Sequence, residues 1–177
     1  MRLTKNPLLL AALVLAVLAA AAALWSGTSW YAAAQDSDAD FARSRDDAVS
    51  AARQGVQNLN TLDYRKIDEG LANWEESATG ALLEQLKGGR DAFKKSVGEA
   101  KTVTTAKVFS AALTELNERE GKANVMVAVR ITVTPAEGKP QAKQSRMLGE
   151  LTRTPDGWKL SALAQAPVGN TGSPAGN

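Results

Sequence analysis

Of the side chains that usually carry catalysis, two are missing. The 177 residues include neither histidine nor cysteine. That excludes thiol nucleophiles, Ser-His-Asp triads, the usual zinc sites and any disulfide. Acid–base work would fall to Asp, Glu, Lys and Tyr. The densest such grouping is Asp63-Tyr64 with Asp68, an acid able to take a proton beside a phenol able to steady an oxyanion. The same residues have a plainer use, with Asp63 capping a helix and Tyr64 as a partly buried aromatic whose hydroxyl stays wet. A working base needs a shifted pKa inside a closed cleft, and nothing in the sequence builds one around these positions. The chain is therefore read as non-catalytic, without catalytic, cofactor-binding or metal-ligating residues.

Binding chemistry is treated the same way. Neither a Gly-x-x-x-x-Gly-Lys nor a Gly-x-Gly-x-x-Gly run occurs, which removes nucleotide hydrolysis. Lys87, Arg90, Lys94 and Lys95 form a basic cluster, which suits a solvated helix face as well as contact with anionic headgroups. Arg130 and Glu150 could form an exposed cross-strand ion pair, the functional alternative being a lipid-headgroup site at Arg130. Five aromatic residues, Tyr64, Trp74, Phe93, Phe109 and Trp158, are the candidates for lining a cavity. The formal charge of +2 is supplied by Arg2 and Lys5, so the rest is neutral and offers no general attraction for nucleic acid.

The elements that must position these residues come in two groups. Residues 36 to about 60 read as a helix whose inward face, Phe41, Ala48, Ala52, Val56 and Leu59, is mostly small. Asp63 opens a second helix from Tyr64 to about Trp74, and Ser77 or Thr79 caps a third that carries Leu82, Leu86, Phe93 and Val97. Gly88-Gly89 in its middle predicts a kink or break. Strands follow. From Lys101 to Leu116, Val103, Phe109 and Leu113 share the inward parity, with Val108 and Leu116 off-phase, so a bulge is expected. Asn117 to Lys122 is a polar turn. Ala123 to Thr134 alternates without fault, with Val125, Val127, Val129, Ile131 and Val133 on one side. Pro135 to Pro140 is a loop, and another strand runs from about Gln144 to Arg153. Thr154-Pro155-Asp156-Gly157 is a tight turn, and Trp158 to Gln165 closes the hairpin.

Ahead of all this lies Leu8 to Trp25, an apolar run of about 18 residues, long enough to cross a bilayer as a helix. Arg2 and Lys5 precede it, and Asp36, Asp38 and Asp40 come before the next basic residue, Arg43. The positive-inside rule then places the N-terminus in the cytoplasm and the rest outside. Trp25, Trp30 and Tyr31 suit an outer aromatic belt. A cleaved secretory signal, cut near Ala21 to Ala23 or Ala32 to Ala34, is the competing reading; the run exceeds the usual ~7–15-residue signal core, which favours an uncleaved anchor.

Helices first and an antiparallel meander after define an α+β class. A curved sheet of at least four strands is expected to wrap its apolar face around the third helix as a cone like that of the nuclear transport factor 2 (NTF2) superfamily. The expected organisation is a cytoplasmic N-terminus over 1–7, a transmembrane helix over 8–25, a collar over 26–35, an extracytoplasmic NTF2-like domain over 36–168 and a disordered tail over 169–177. The stretches LNTLDYRKIDEGL and SATGALLEQL, Phe93, and the hairpin RMLGELTRTPDGWKLSAL, in this order behind an anchor, resemble the Mce-associated membrane proteins of actinobacteria. The resemblance implies a single-pass accessory protein that assembles or stabilises an Mce-type lipid or sterol importer. Its partners would be transporter subunits and the bilayer, and it would use no cofactor. The alternatives are a cone that binds a small lipophilic ligand and an isomerase- or dehydratase-type enzyme.

Overall fold

The computed structural model describes residues 38–167. The expected anchor, collar and C-terminal tail lie outside the described residues, among which no helix is long and apolar enough to cross a membrane. The chain divides into two compact units, residues 1–43 and 44–177. Of the first, only 38–43 are described, as helix.

Helix α1 continues to residue 59. It is followed by β1 (Leu62–Asp63), a 3-10 turn (Tyr64–Lys66), α2 (Ile67–Ser77) and α3 (Gly80–Ala100). Four long strands complete the unit: β2 (Val103–Asn117), β3 (Lys122–Thr134), β4 (Gln141–Thr154) and β5 (Gly157–Gln165). All five strands form one antiparallel sheet in chain order. The α+β class and the meander are as the sequence predicts.

The central strand follows its period-two pattern. Ala123, Val125, Val127 and Val129 are buried, Ile131 is half-buried, and Met126 and Arg130 between them are exposed. Val133, expected inward, is exposed near the strand's end. The inner face packs on α1, whose Ala48, Ala52 and Val56 are fully buried against β3, Leu151, Trp158 and Leu160. Small side chains let the helix approach closely. At Gly55 an added Cβ would lie 2.7 Å from Leu160 Cδ1. The sheet therefore closes on α1, not on the third helix as expected. None of α3's residues is buried: Leu82 packs on the core, while Leu86 and Phe93 line a cleft with Leu71 and Trp74 of α2. The expected break at Gly88-Gly89 is also absent; α3 is continuous through both.

Strand β2 departs from simple alternation twice. Its register shifts between Val108 and Ser110 and between Leu113 and Glu115, leaving Phe109 and Thr114 as extra residues. Each bulge switches the inward parity. Ala106 and Val108, then Ala111 and Leu113, then Leu116 pack on the core. Phe109, expected inward, is thrown to the outer face and is 44% exposed. The Pro155-Asp156 turn is as expected, with Gly157 at φ 105 and Thr154 Oγ1 donating to the Gly157 carbonyl.

Candidate functional site

The acidic residues singled out as a candidate base are held in structural roles. Asp63 caps the 3-10 turn by accepting from the Arg65 backbone N–H at 2.9 Å. Its two carboxylate oxygens also accept from the Arg65 guanidinium, Nη2 at 2.6 Å. The hydrogen bonds from Arg65, side chain first and backbone second, push the Asp63 carboxyl down to about 2 and raise Arg65. Asp68 is lowered too, chiefly by the Lys94 ammonium, whose Nζ lies 2.6 and 2.9 Å from its oxygens. A general base working near neutrality needs its pKa moved upward, and both carboxylates move the other way. Among the described residues no group of three or more acids is arranged to hold a metal ion.

The same ion pairs reassign half of the basic cluster. Arg90 on α3 pairs with Glu75 and Asp68 on α2, and Glu75 is the main reason its guanidinium is raised. Arg90 and Lys94 thus strap α3 to α2, and the other two members of the cluster, Lys87 and Lys95, show no ion pair among the described residues. Arg130 and Glu150 do not meet. Arg130 lies opposite Gln144 and Glu150 opposite Asn124, because an antiparallel register moves both residues to different rows. The Arg130 guanidinium instead covers the Phe109 ring at 4.9 Å.

The five aromatic candidates do not share one cavity. Trp74 and Phe93 come together across α2 and α3, with ring centroids 5.0 Å apart and planes tilted 49°. The Trp74 indole donates to the Thr61 carbonyl at 3.1 Å, which fixes its orientation. A cleft lies on each side of the pair. One, about 290 Å³, is lined by Leu59, Leu62, Val97 and Thr104 among others. The other, about 250 Å³, is lined by Leu71, Leu86, Gly89 and Arg90 among others. Trp158 is buried in the core beneath α1, its indole N–H without an acceptor among the described residues. Beside it runs a polar groove of about 640 Å³ that includes Gln54, Asn58, Glu76 and Lys159. Tyr64 is half-buried beside the Arg65 guanidinium, and Phe109 belongs to the outer face. Gly89 was legible in the sequence only as a helix breaker. Its place is the floor of a cleft, where an added Cβ would meet open space.

Residues 9–167 match the family model described as "Uncharacterized protein Rv1363c/MT1408-like". Over 145 residues the chain is 31% identical to uncharacterized protein Rv1363c of Mycobacterium tuberculosis (strain ATCC 25618 / H37Rv), an alignment covering 81% of this chain and 55% of that protein. The chain thus spans about half the length of this curated relative. Among solved structures it is similar to an IcmL-like type IV secretion system protein from Legionella pneumophila, with TM-score 0.56, 12% identity, and coverage of 68% of this chain and 90% of that one. It is similar to the periplasmic domain of DotI, with TM-score 0.56, 15% identity, and coverage of 68% and 93%. CagV, a VirB8 homologue from Helicobacter pylori, gives 0.53, 12%, and coverage of 69% and 98%. At these identities the likeness is one of fold: helices on a curved five-stranded sheet, as in NTF2-like VirB8 domains.

Proposed function

Because this chain belongs to the Rv1363c/MT1408-like family, we propose that it is a membrane-anchored, non-catalytic accessory protein that assembles or stabilises an Mce-type lipid or sterol import complex through protein–protein contacts. The observation that carries this reading is the α2–α3 ridge. Helix α3 buries none of its residues, yet it presents Phe93 against Trp74, with Arg90 alongside. Half-exposed Trp, Phe and Arg around shallow apolar clefts are the chemistry of binding hot spots, and the nearby carboxylates are tuned away from base catalysis.

Two further features support the anchored part of the reading. The family match begins at residue 9, inside the apolar run, so that run is shared with the family rather than joined to an unrelated leader. The fold is also found in the periplasmic domain of DotI and in type IV secretion system proteins, a setting that suits an exported domain. The link to Mce transport rests on the motif order in the sequence.

The test is crosslinking in intact cells, then purification of the full chain in mild detergent. Mce transporter subunits should co-purify, and Trp74→Ala with Phe93→Ala should cut their recovery severalfold while leaving the chain's own membrane level unchanged. Recovery of the chain alone would defeat the proposal. A second reading, favoured by the clefts of about 290 and 250 Å³, is a small lipophilic ligand held against Trp74 and Phe93. Lipid extracted stoichiometrically from the purified chain, and lost in Gly89→Leu, would select it.

A further inference from the structure

The outer face of the sheet has an order that its role in folding does not require. Across its middle runs an apolar row. Ala112 of β2 lies opposite Met126 of β3, Met126 opposite Leu148 of β4, and Leu148 opposite Ala164 of β5. Met126 and Leu148 are each 40% exposed, and no described element covers them. The flanking rows carry charges of opposite sign: Ser110, Ala128 and Arg146 on one side, Glu115, Asn124 and Glu150 on the other. Arg146 sits two residues before Leu148 on the same face, and Glu150 two residues after. Glu115 lies in the Glu150 row, joined through Asn124, whose amide donates to Glu115 at 2.8 Å. Arg146, Glu150 and Glu115 form no ion pair among the described residues.

We infer that this face is self-complementary and docks on the same face of a second copy of the chain. A two-fold axis along the apolar row turns each strand end for end while keeping its lateral place. Each row residue then meets its own copy, Leu148 on Leu148, and Arg146 of each copy meets Glu150 of the other. Two-fold contacts are isologous, and this arrangement satisfies both charges twice. Facing sheets pack about 10 Å apart, within reach of an Arg–Glu pair.

The β2 edge is a poor alternative. The bulges at Phe109 and Thr114 break the pairing surface that β2 would offer a neighbouring strand. Four strands about 4.8 Å apart and three rows about 6.8 Å apart outline roughly 400 Å², about half of a standard interface per partner. The dimer is accordingly weak in free solution, and shared confinement at a membrane would raise its effective concentration. This inference does not depend on the Mce part of the proposed function, and its membrane setting rests on the anchor proposed there.

The full chain has no cysteine, so single substitutions report contacts cleanly. Full-length protein in nanodiscs, loaded at two copies per disc, should form a disulfide-linked dimer on mild oxidation when it carries Leu148→Cys, and much less with Glu84→Cys on α3. Arg146→Glu or Glu150→Arg alone should lower the Leu148→Cys yield roughly tenfold, and the double reversal should restore it. Three results would overturn the inference: equal crosslinking at 84 and 148, single reversals with no effect, or a position 148 shielded in monomers until residues 168–177 are removed. The last would assign the face to the chain's own C-terminus.

Discussion

Asp63 accepts from both the backbone and the guanidinium of Arg65, and this one neighbour accounts for its depressed pKa. A carboxyl whose folded value lies below its unfolded value of about 3.9 contributes stability at higher pH. That contribution is complete above about pH 4 and fades as pH falls toward about 2. The pair is exposed, so the effect on overall stability is small, and the titration is the sharper observable. In Arg65→Gln the pKa of the Asp63 carboxyl, followed by NMR, should rise toward its ordinary value of about 3.9 without reaching it, because the backbone N–H of residue 65 still donates. An unchanged midpoint would mean that the Arg65 contact does not persist in solution. The residue types were legible in the sequence, and so was Asp63 as a cap. That Arg65 would be its partner was not, since Lys66 stood only one residue further along the chain.

At the scale of elements, three glycines on two helices have opposite consequences. Gly55 on α1 faces Leu160 of β5, and an added Cβ would fall 2.7 Å from it. Gly55→Ala should therefore destabilise by about 1–3 kcal/mol, the usual cost of overpacking a core. Gly88 and Gly89 on α3 have nothing within 4 Å of an added Cβ. Gly88→Ala should stabilise by about 0.5–1 kcal/mol through helix propensity alone, as should Gly89→Ala. Denaturant unfolding of the full chain in detergent reads all three. The glycine pair looks like a break when only propensity is considered. The helix runs on through it because Leu86 before the pair lines a cleft with Leu71 and Trp74 of α2, and Arg90 and Lys94 after it are ion-paired to α2. The strand β2 teaches a related lesson. Val108 and Leu116 were legible as off-phase and hence as the sign of a bulge. Which residues the bulges would eject depended on the register against β3, and Phe109 went outward.

For the whole molecule, the apolar run over residues 8–25 governs the expected behaviour. A helix of that length with no charge partitions into hydrocarbon at equilibrium. After cell breakage the chain should stay with membranes through an alkaline carbonate wash and should keep its N-terminal residues. A processed form in the culture fluid would contradict the anchor.

What the sequence determined by itself was local or compositional: the absence of histidine and cysteine chemistry, the alternation of β3, the Pro-Asp-Gly hairpin and the order of helices before strands. These depend on side-chain chemistry and on neighbours a few residues apart, where helix and strand periods are written directly. Only the tertiary structure decided that α1 rather than α3 fills the curve of the sheet, that Trp74 meets Phe93, and that Arg146 and Glu150 flank an open apolar row. Those outcomes turn on volume fit and register between segments far apart in the chain. The mostly alanine face of α1 was legible as one that packs close; that the curved sheet is what it packs against was not.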